Sequence, residues 1–173
     1  SADTAELSFV DCRVPVSNTS GEIGQGFQQQ MAQFQNERLI AAYSAVGALE
    51  LALERTIAYV RQREAFGKPL GENQWIQFKL AELVAEVDLA KHYNYACAQA
   101  ILDGADPITI AKMASIAKLK TGRLQREVPD WCMQFHGGIG YMEETWTARY
   151  FRDSRLLAIG GGADEVMLRI IAS

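Results

Sequence analysis

Few residues in this chain have the types and spacing that chemistry needs. Glu37 and Arg38 put a carboxylate and a guanidinium side by side near the start of a long helical pattern. A carboxylate can take a proton, and a guanidinium can grip paired anionic oxygens. By spacing alone, Glu37 reads as a solvated glutamate favoured by the helix macrodipole, and Arg38 as an exposed helix arginine. The cysteines Cys12, Cys97 and Cys132 are odd in number and show no Cys-x-x-Cys or Cys/His ligand spacing. That argues against a disulfide framework or a metal site, and for buried thiols in a reducing compartment. His136 has no nucleophile among its sequence neighbours and reads as a packed or hydrogen-bonded imidazole. His92 falls mid-helix and reads as exposed. Trp75, Trp131 and Trp146 read as core or interface side chains rather than a stacking platform.

The elements that would position these groups follow from the hydrophobic pattern. At 173 residues the chain is long enough for one domain with a sizeable core. Its net charge of −4 comes from interspersed acids and bases with no basic block, which excludes a polyanion-binding class. Ser1 to Val10 lacks a secretory pattern. The most apolar stretch, Leu39 to Leu53, is broken by Glu50 and too short to span a bilayer. The expectation is a chain that is neither secreted nor membrane-spanning.

Glu6 to Phe9 alternates polar and apolar, and Asp11 to Val14 does so in the opposite phase. This predicts a short strand slipping at Val10 and ending at Pro15. One strand cannot bury its own face, so it belongs with a sheet outside this chain. A first helix is predicted from about Phe27 to Arg63, with Leu39, Tyr43, Val46, Leu49, Leu53, Ile57 and Val60 in one apolar stripe. Phe66 to Leu70 is read as a loop. A second helix runs from about Asn73 to Leu102, stopped by Gly104. Asp106 caps a third, with Pro107 in its first turn, reaching about Phe135 and kinked at Pro129. A glycine turn at Gly137, Gly138 and Gly140 leads to a helix from about Glu143 to Leu156. A second turn at Gly160 to Gly162 leads to a last helix near Asp164. The fold class is all-α: an antiparallel helical bundle with a short β-strand remnant at the N-terminus.

Four ordered motifs then carry a resemblance. Arg63 to Leu70, with Gln74 and Gln77 to Ala81, resembles the RxxFGxPL region of the acyl-CoA dehydrogenase family. Gln134 to Tyr141 resembles its QxHGGxGY motif. Arg149 to Asp153 and Ile159 to Met167 resemble its closing stretch. Gly24 to Phe27 followed by Glu37-Arg38-Leu39 resembles the entry to its C-terminal helical domain. The similarity covers essentially the whole chain and points to the isovaleryl-CoA and long-chain type. It implies residues 1–20 as the end of a middle β-domain and linker, and 21–173 as the C-terminal bundle.

The resemblance implies FAD-dependent oxidation of an acyl-CoA thioester to the trans-2-enoyl-CoA, with electrons leaving to an electron-transferring flavoprotein. Most members carry the base in the final glycine turn, where this chain has Gly161, which cannot take a proton. A smaller group carries it on the first long helix, and there this chain has Glu37. Glu37 is therefore the expected catalytic base. Gln35, Arg38 and Gly162 are the expected substrate contacts. The expected flavin contacts are Arg63, Phe66, Gln74, Gln134, Gly137, Gly138, Ala163 and Glu165, drawn largely from a neighbouring subunit. Many relatives have Thr and Gln where Ala163 and Glu165 stand. The resemblance also implies a homo-oligomer, a dimer or tetramer. The compartment would be cytoplasmic in a bacterium and the mitochondrial matrix in a eukaryote. A base on the helix leaves room in the glycine turn, which suits branched or long acyl groups. Alternatives are a related flavin oxidase of the acyl-CoA oxidase or nitroalkane oxidase kind, and a helical oligomerisation module without catalysis.

Overall fold

The computed structural model describes residues 5–173. Five helices dominate: α1 (Gly26–Gln62), α2 (Gln74–Leu102), α3 (Pro107–His136), α4 (Trp146–Ser154) and α5 (Asp164–Ala172). Short 3-10 turns at Gly137–Tyr141 and Arg155–Ala158 connect the last three.

The ends of these helices follow local chemistry. Asp106 accepts from the backbone N–H groups of Ile108 and Thr109, each at 3.0 Å, with Pro107 at the first helical position, as expected. Asn73 does the same for Trp75 at 3.0 Å. Between α1 and α2 the predicted loop is a small hairpin, β1 (Glu64–Ala65) against antiparallel β2 (Lys68–Pro69). Its two-residue turn puts Phe66 at φ 54° and Gly67 at φ 81°, the left-handed pair that matches strand twist. Phe66 was hard to foresee there, because only its partner Gly67 adopts such angles freely.

The strand expected over Glu6 to Val14 does not form: the segment carries no strand pairing, and Leu7, Phe9, Val10 and Val14 all stand exposed. A strand exists only by pairing, and no described residue offers an edge to this one. The part of the N-terminal expectation that falls on Ser1 to Thr4 lies outside the described residues. Pro129 does not break α3, which runs through it with the proline ring buried. The fourth helix is shorter than expected, and its last turn tightens into the 3-10 stretch at Arg155.

Side-chain contacts give the helix directions. Asn94 donates to the Ala42 carbonyl and Lys91 pairs with Glu50, so α2 runs against α1. Gln125 donates to the Ala45 carbonyl, and the Cys132 thiol faces Ala52, so α3 runs with α1. The core lies where these three meet, at Val46, Leu49, Leu53, Leu80, Leu83, Val87, Leu124 and Val128. The predicted α1 stripe faces this core from Val46 to Val60; Leu39 packs in a second cluster with Ala42, Cys97, Ala114 and Ala117, and Tyr43 is 37% exposed at the margin. α4 and α5 pack on α3. Gly122, in mid-α3, lets the turn between them approach: a Cβ there would meet the Ala158 Cα and an Asp164 oxygen, each at 3.4 Å.

Candidate functional site

The expected site residues gather at two separate ends of α1. Glu37 lies exposed near the helix start, its Oε1 3.5 Å from the Gln33 amide. It lines a hollow of about 600 Å³ with Ala41 and Ala45 from α1, Leu157, and Gly160 and Gly161 from the second glycine turn. The α1 wall beside Glu37 is built of the small side chains Ala41, Ser44 and Ala45, and deeper in, Gln125 and Tyr150 add a buried amide and a buried hydroxyl. Burial pushes the Tyr150 phenol well above its ordinary range, so it stays protonated at working pH.

Arg38, the next residue, turns inward and is buried. Its Nε donates a long bond of 3.5 Å to the Gly161 carbonyl. Lys118 of α3, buried at 1% exposure, donates to the Gly162 carbonyl. Burial holds the Lys118 ammonium below its usual value; Asp164 opposes that and Arg38 adds to it. Asp164, first residue of α5, is buried with its Oδ1 unpartnered. Gly161 and Gly162 sit at φ 67° and 105°, angles that favour glycine. A Cβ on Gly162 would come within 2.8 Å of the Met167 Cε and 3.7 Å of Arg38. Glycine at 162 is thus favoured first by its positive φ, with the crowding coming from the flexible end of Met167 while Arg38 stays at ordinary contact distance. Gln35 is half-buried one turn before Arg38.

The second group lies at the other end of α1. Tyr59 stacks on His136 at 4.1 Å, and Trp75 meets Trp131 and Phe135 edge-on. These contacts bring the end of α1, the start of α2 and the end of α3 together; at or next to these ends in the chain stand Arg63, Phe66, Gln74, Gln134, Gly137 and Gly138. All six are exposed. Phe66 projects fully into solvent, and a Cβ on Gly137 or Gly138 would meet nothing within 4 Å. An exposed aromatic can stack on a base, a guanidinium can pair with phosphate oxygens, and bare glycine backbone can approach a ligand closely, so these residue types suit a dinucleotide.

Ala163 and Glu165 do not join that surface. They begin α5 beside Lys118, because the glycine turn carries them to the Arg38 end. Ala163 offers α5 no side-chain cap. Lys118 and Asp164 were missed from sequence, since a buried lysine looks like any helical lysine until its distant carbonyl partner is known. Among the described residues no cluster of His, Cys, Asp and Glu is placed to hold a metal ion, and no helix is long and apolar enough to cross a membrane.

His136 is a packed side chain, as its setting suggested. Its Nδ1 lies 2.7 Å from the Cys132 carbonyl and so carries the proton. Burial lowers its affinity for a second proton. Stability from neutral His136 is therefore complete above the ordinary imidazole value of about 6.5 and declines as pH falls below it. Thermal melts between pH 5 and 8 should show this decline, and His136→Phe should flatten it; an equal slope in the variant would assign the effect elsewhere.

The comparisons with known proteins agree with this architecture. Residues 24–173 match the family profile described as "Acyl-CoA dehydrogenase, C-terminal domain". The chain belongs to that family. The mitochondrial long-chain specific acyl-CoA dehydrogenase of Rattus norvegicus is 41% identical over 98% of this chain and 39% of its own length. Mitochondrial isovaleryl-CoA dehydrogenase of Solanum tuberosum is 35% identical over 98% of the chain and 40% of its own. A crystal structure of acyl-CoA dehydrogenase from Geobacillus kaustophilus superposes with a TM-score of 0.89 at 40% identity, covering 95% of this chain and 42% of that one. The chain thus spans about two fifths of the relatives it matches.

Proposed function

We propose that this chain is the C-terminal part of a flavoenzyme that converts an acyl-CoA thioester to its trans-2-enoyl-CoA, with Glu37 as the base. Glu37 standing on the rim of an apolar hollow, across from a glycine turn, carries the reading. A thioester acidifies the C–H bond next to it. A carboxylate within hydrogen-bond reach of that carbon can take the proton. Gly161 supplies no competing acid, and its openness admits the substrate. Arg38 and Gly162 shape the same wall, and Gln35, one turn before Arg38, is a further proposed substrate contact. FAD, when bound, supplies the two-electron acceptor.

The dinucleotide would lie on Arg63, Phe66, Gln74, Gln134, Gly137 and Gly138. That surface is about 26 residues along α1 from Glu37, roughly 39 Å at the helical rise. One chain's pair of ends so far apart supports a site completed by a neighbouring copy, and hence a homo-oligomer. Ala163 and Glu165 belong to the substrate end in this reading, where they could still meet the flavin of their own subunit. The exposed ribbon at residues 5–20 fits the edge of a neighbouring β-domain. The electron-transferring flavoprotein is the proposed acceptor, and the compartment follows the host: cytoplasm in a bacterium, mitochondrial matrix in a eukaryote.

Anaerobic addition of straight and branched acyl-CoAs to the full-length, FAD-loaded enzyme tests this. The flavin absorbance is expected to bleach within seconds. Flavin that stays oxidised throughout the series would remove the dehydrogenation reading. Peroxide production in air, equal with and without a dye acceptor, would move the enzyme to the oxidase class.

A further inference from the structure

The second glycine turn is the wall that faces Glu37; its entry is held by the Gly160 N–H on the Leu156 carbonyl at 2.7 Å, but among the described residues the two glycines that follow lack such a backbone tie of their own. Gly161 and Gly162 adopt φ 67° and 105°, and glycine loses more conformational freedom on ordering than any other residue. A Cβ at Gly161 would touch nothing within 4 Å, so packing does not restrain it. Two cations do: Arg38 bonds the Gly161 carbonyl and Lys118 the Gly162 carbonyl. In a trans peptide the carbonyl and N–H of one unit point in opposite directions. Fixing those two oxygens on Arg38 and Lys118 therefore turns the amides of Gly162 and Ala163 away from the cations.

Lys118 is the unexpected partner. It comes from mid-α3, 44 residues from Gly162 in sequence, and is 1% exposed. Removing an ammonium from water is costly, and an apolar side chain of the same length would fill the space without that cost. Packing alone does not account for a lysine here. Asp164, the nearby buried acid, leaves its Oδ1 unpartnered while the ammonium bonds the backbone. The lysine's hydrogen bond thus goes to the turn, through a charge-assisted contact.

We propose that Lys118 is a positioning residue for the dehydrogenation: by pinning the Gly162 carbonyl it fixes the substrate-facing turn against Glu37. This rests on the proposed activity, and the test separates the two. Lys118→Met, Lys118→Gln and Lys118→Arg are made in the full-length enzyme, and flavin reduction by acyl-CoA is measured per bound FAD, with KM and melting temperature alongside. If the parent enzyme itself reduces no flavin, the activity fails; the Lys118 proposal is judged on an active parent.

Lys118→Met is expected to slow reduction roughly tenfold or more with KM altered by less than about threefold. Lys118→Arg, which keeps a cationic donor, is expected to recover most of that loss. Lys118→Gln, neutral and shorter, should fall between them, and it carries the comparison if the Met protein loads no flavin. Rates per flavin within about twofold of the parent in both Met and Gln variants would overturn the proposal. So would an Arg variant as slow as Met, which would show a defect of packing rather than of the hold on the turn.

Discussion

Full-length enzyme carrying Glu37→Gln is expected to keep its flavin and lose roughly 10²–10⁴-fold in the rate of flavin reduction, the range that general-base removal spans. Gln is close in size and keeps an acceptor oxygen for Gln33, so the α1 backbone and the hollow are left in place. What it loses is the ability to take a proton. The turn across the hollow offers no carboxylate of its own, only Gly160 and Gly161. Asp153 is the other carboxylate on the lining of the hollow. Flavin content should be unchanged, since the proposed dinucleotide surface lies at the opposite end of α1. Stopped-flow reduction, normalised to bound FAD, gives the number directly. A variant that reduces as fast as the parent would remove Glu37 as the base, and Asp153 would be the next carboxylate to replace.

The largest expected effect on stability comes from the three-helix core. Leu49 is fully buried on α1, among Leu53, Leu83, Leu124 and Val128 from all three long helices. Leu49→Ala removes three carbons and leaves a cavity that neighbours on three rigid helices cannot close. The cost is expected at about 2–5 kcal/mol, the range for such truncations in well-packed cores. In a domain of this size that lowers Tm by roughly 5–15 °C. A thermal melt followed by far-UV circular dichroism measures it. Melting within about 2 °C of the parent would mean that this junction is more plastic than its packing indicates.

Most of the helical scaffold is legible in the amino-acid order because its causes are local. The α1 stripe repeats every three or four residues, Asp106-Pro107 marks the start of α3, and Gly104 and Gly137 end α2 and α3 at positive φ. The hairpin at Phe66 escaped because it depends on a bulky residue in a left-handed conformation that local preference disfavours. The alternation over Glu6 to Val14 misled for a different reason: it describes a face, and a strand also needs a partner. Cys12, expected buried with its fellows, is exposed on that same ribbon.

The site shows a similar division. Glu37, Arg63 and the glycines could be singled out only through four ordered motifs, since each residue alone resembles ordinary surface. Their separation into two ends follows from helix length, which sequence supplies at once through the rise per residue. The grip of Lys118 on Gly162 was invisible, because it depends on how α3 packs against a turn far along the chain.

The cysteines have a practical consequence. Cys97 and Cys132 are buried, and burial raises both thiols, Cys132 to about 11. Thiolate is the nucleophile, so both should ignore maleimides at neutral pH while Cys12 reacts. Among the described residues, Cys12 is thus the one addressable thiol. A fluorophore placed on Cys12 would sit on the open ribbon before α1 and could report when another polypeptide settles over it, without a designed mutation and without touching Glu37.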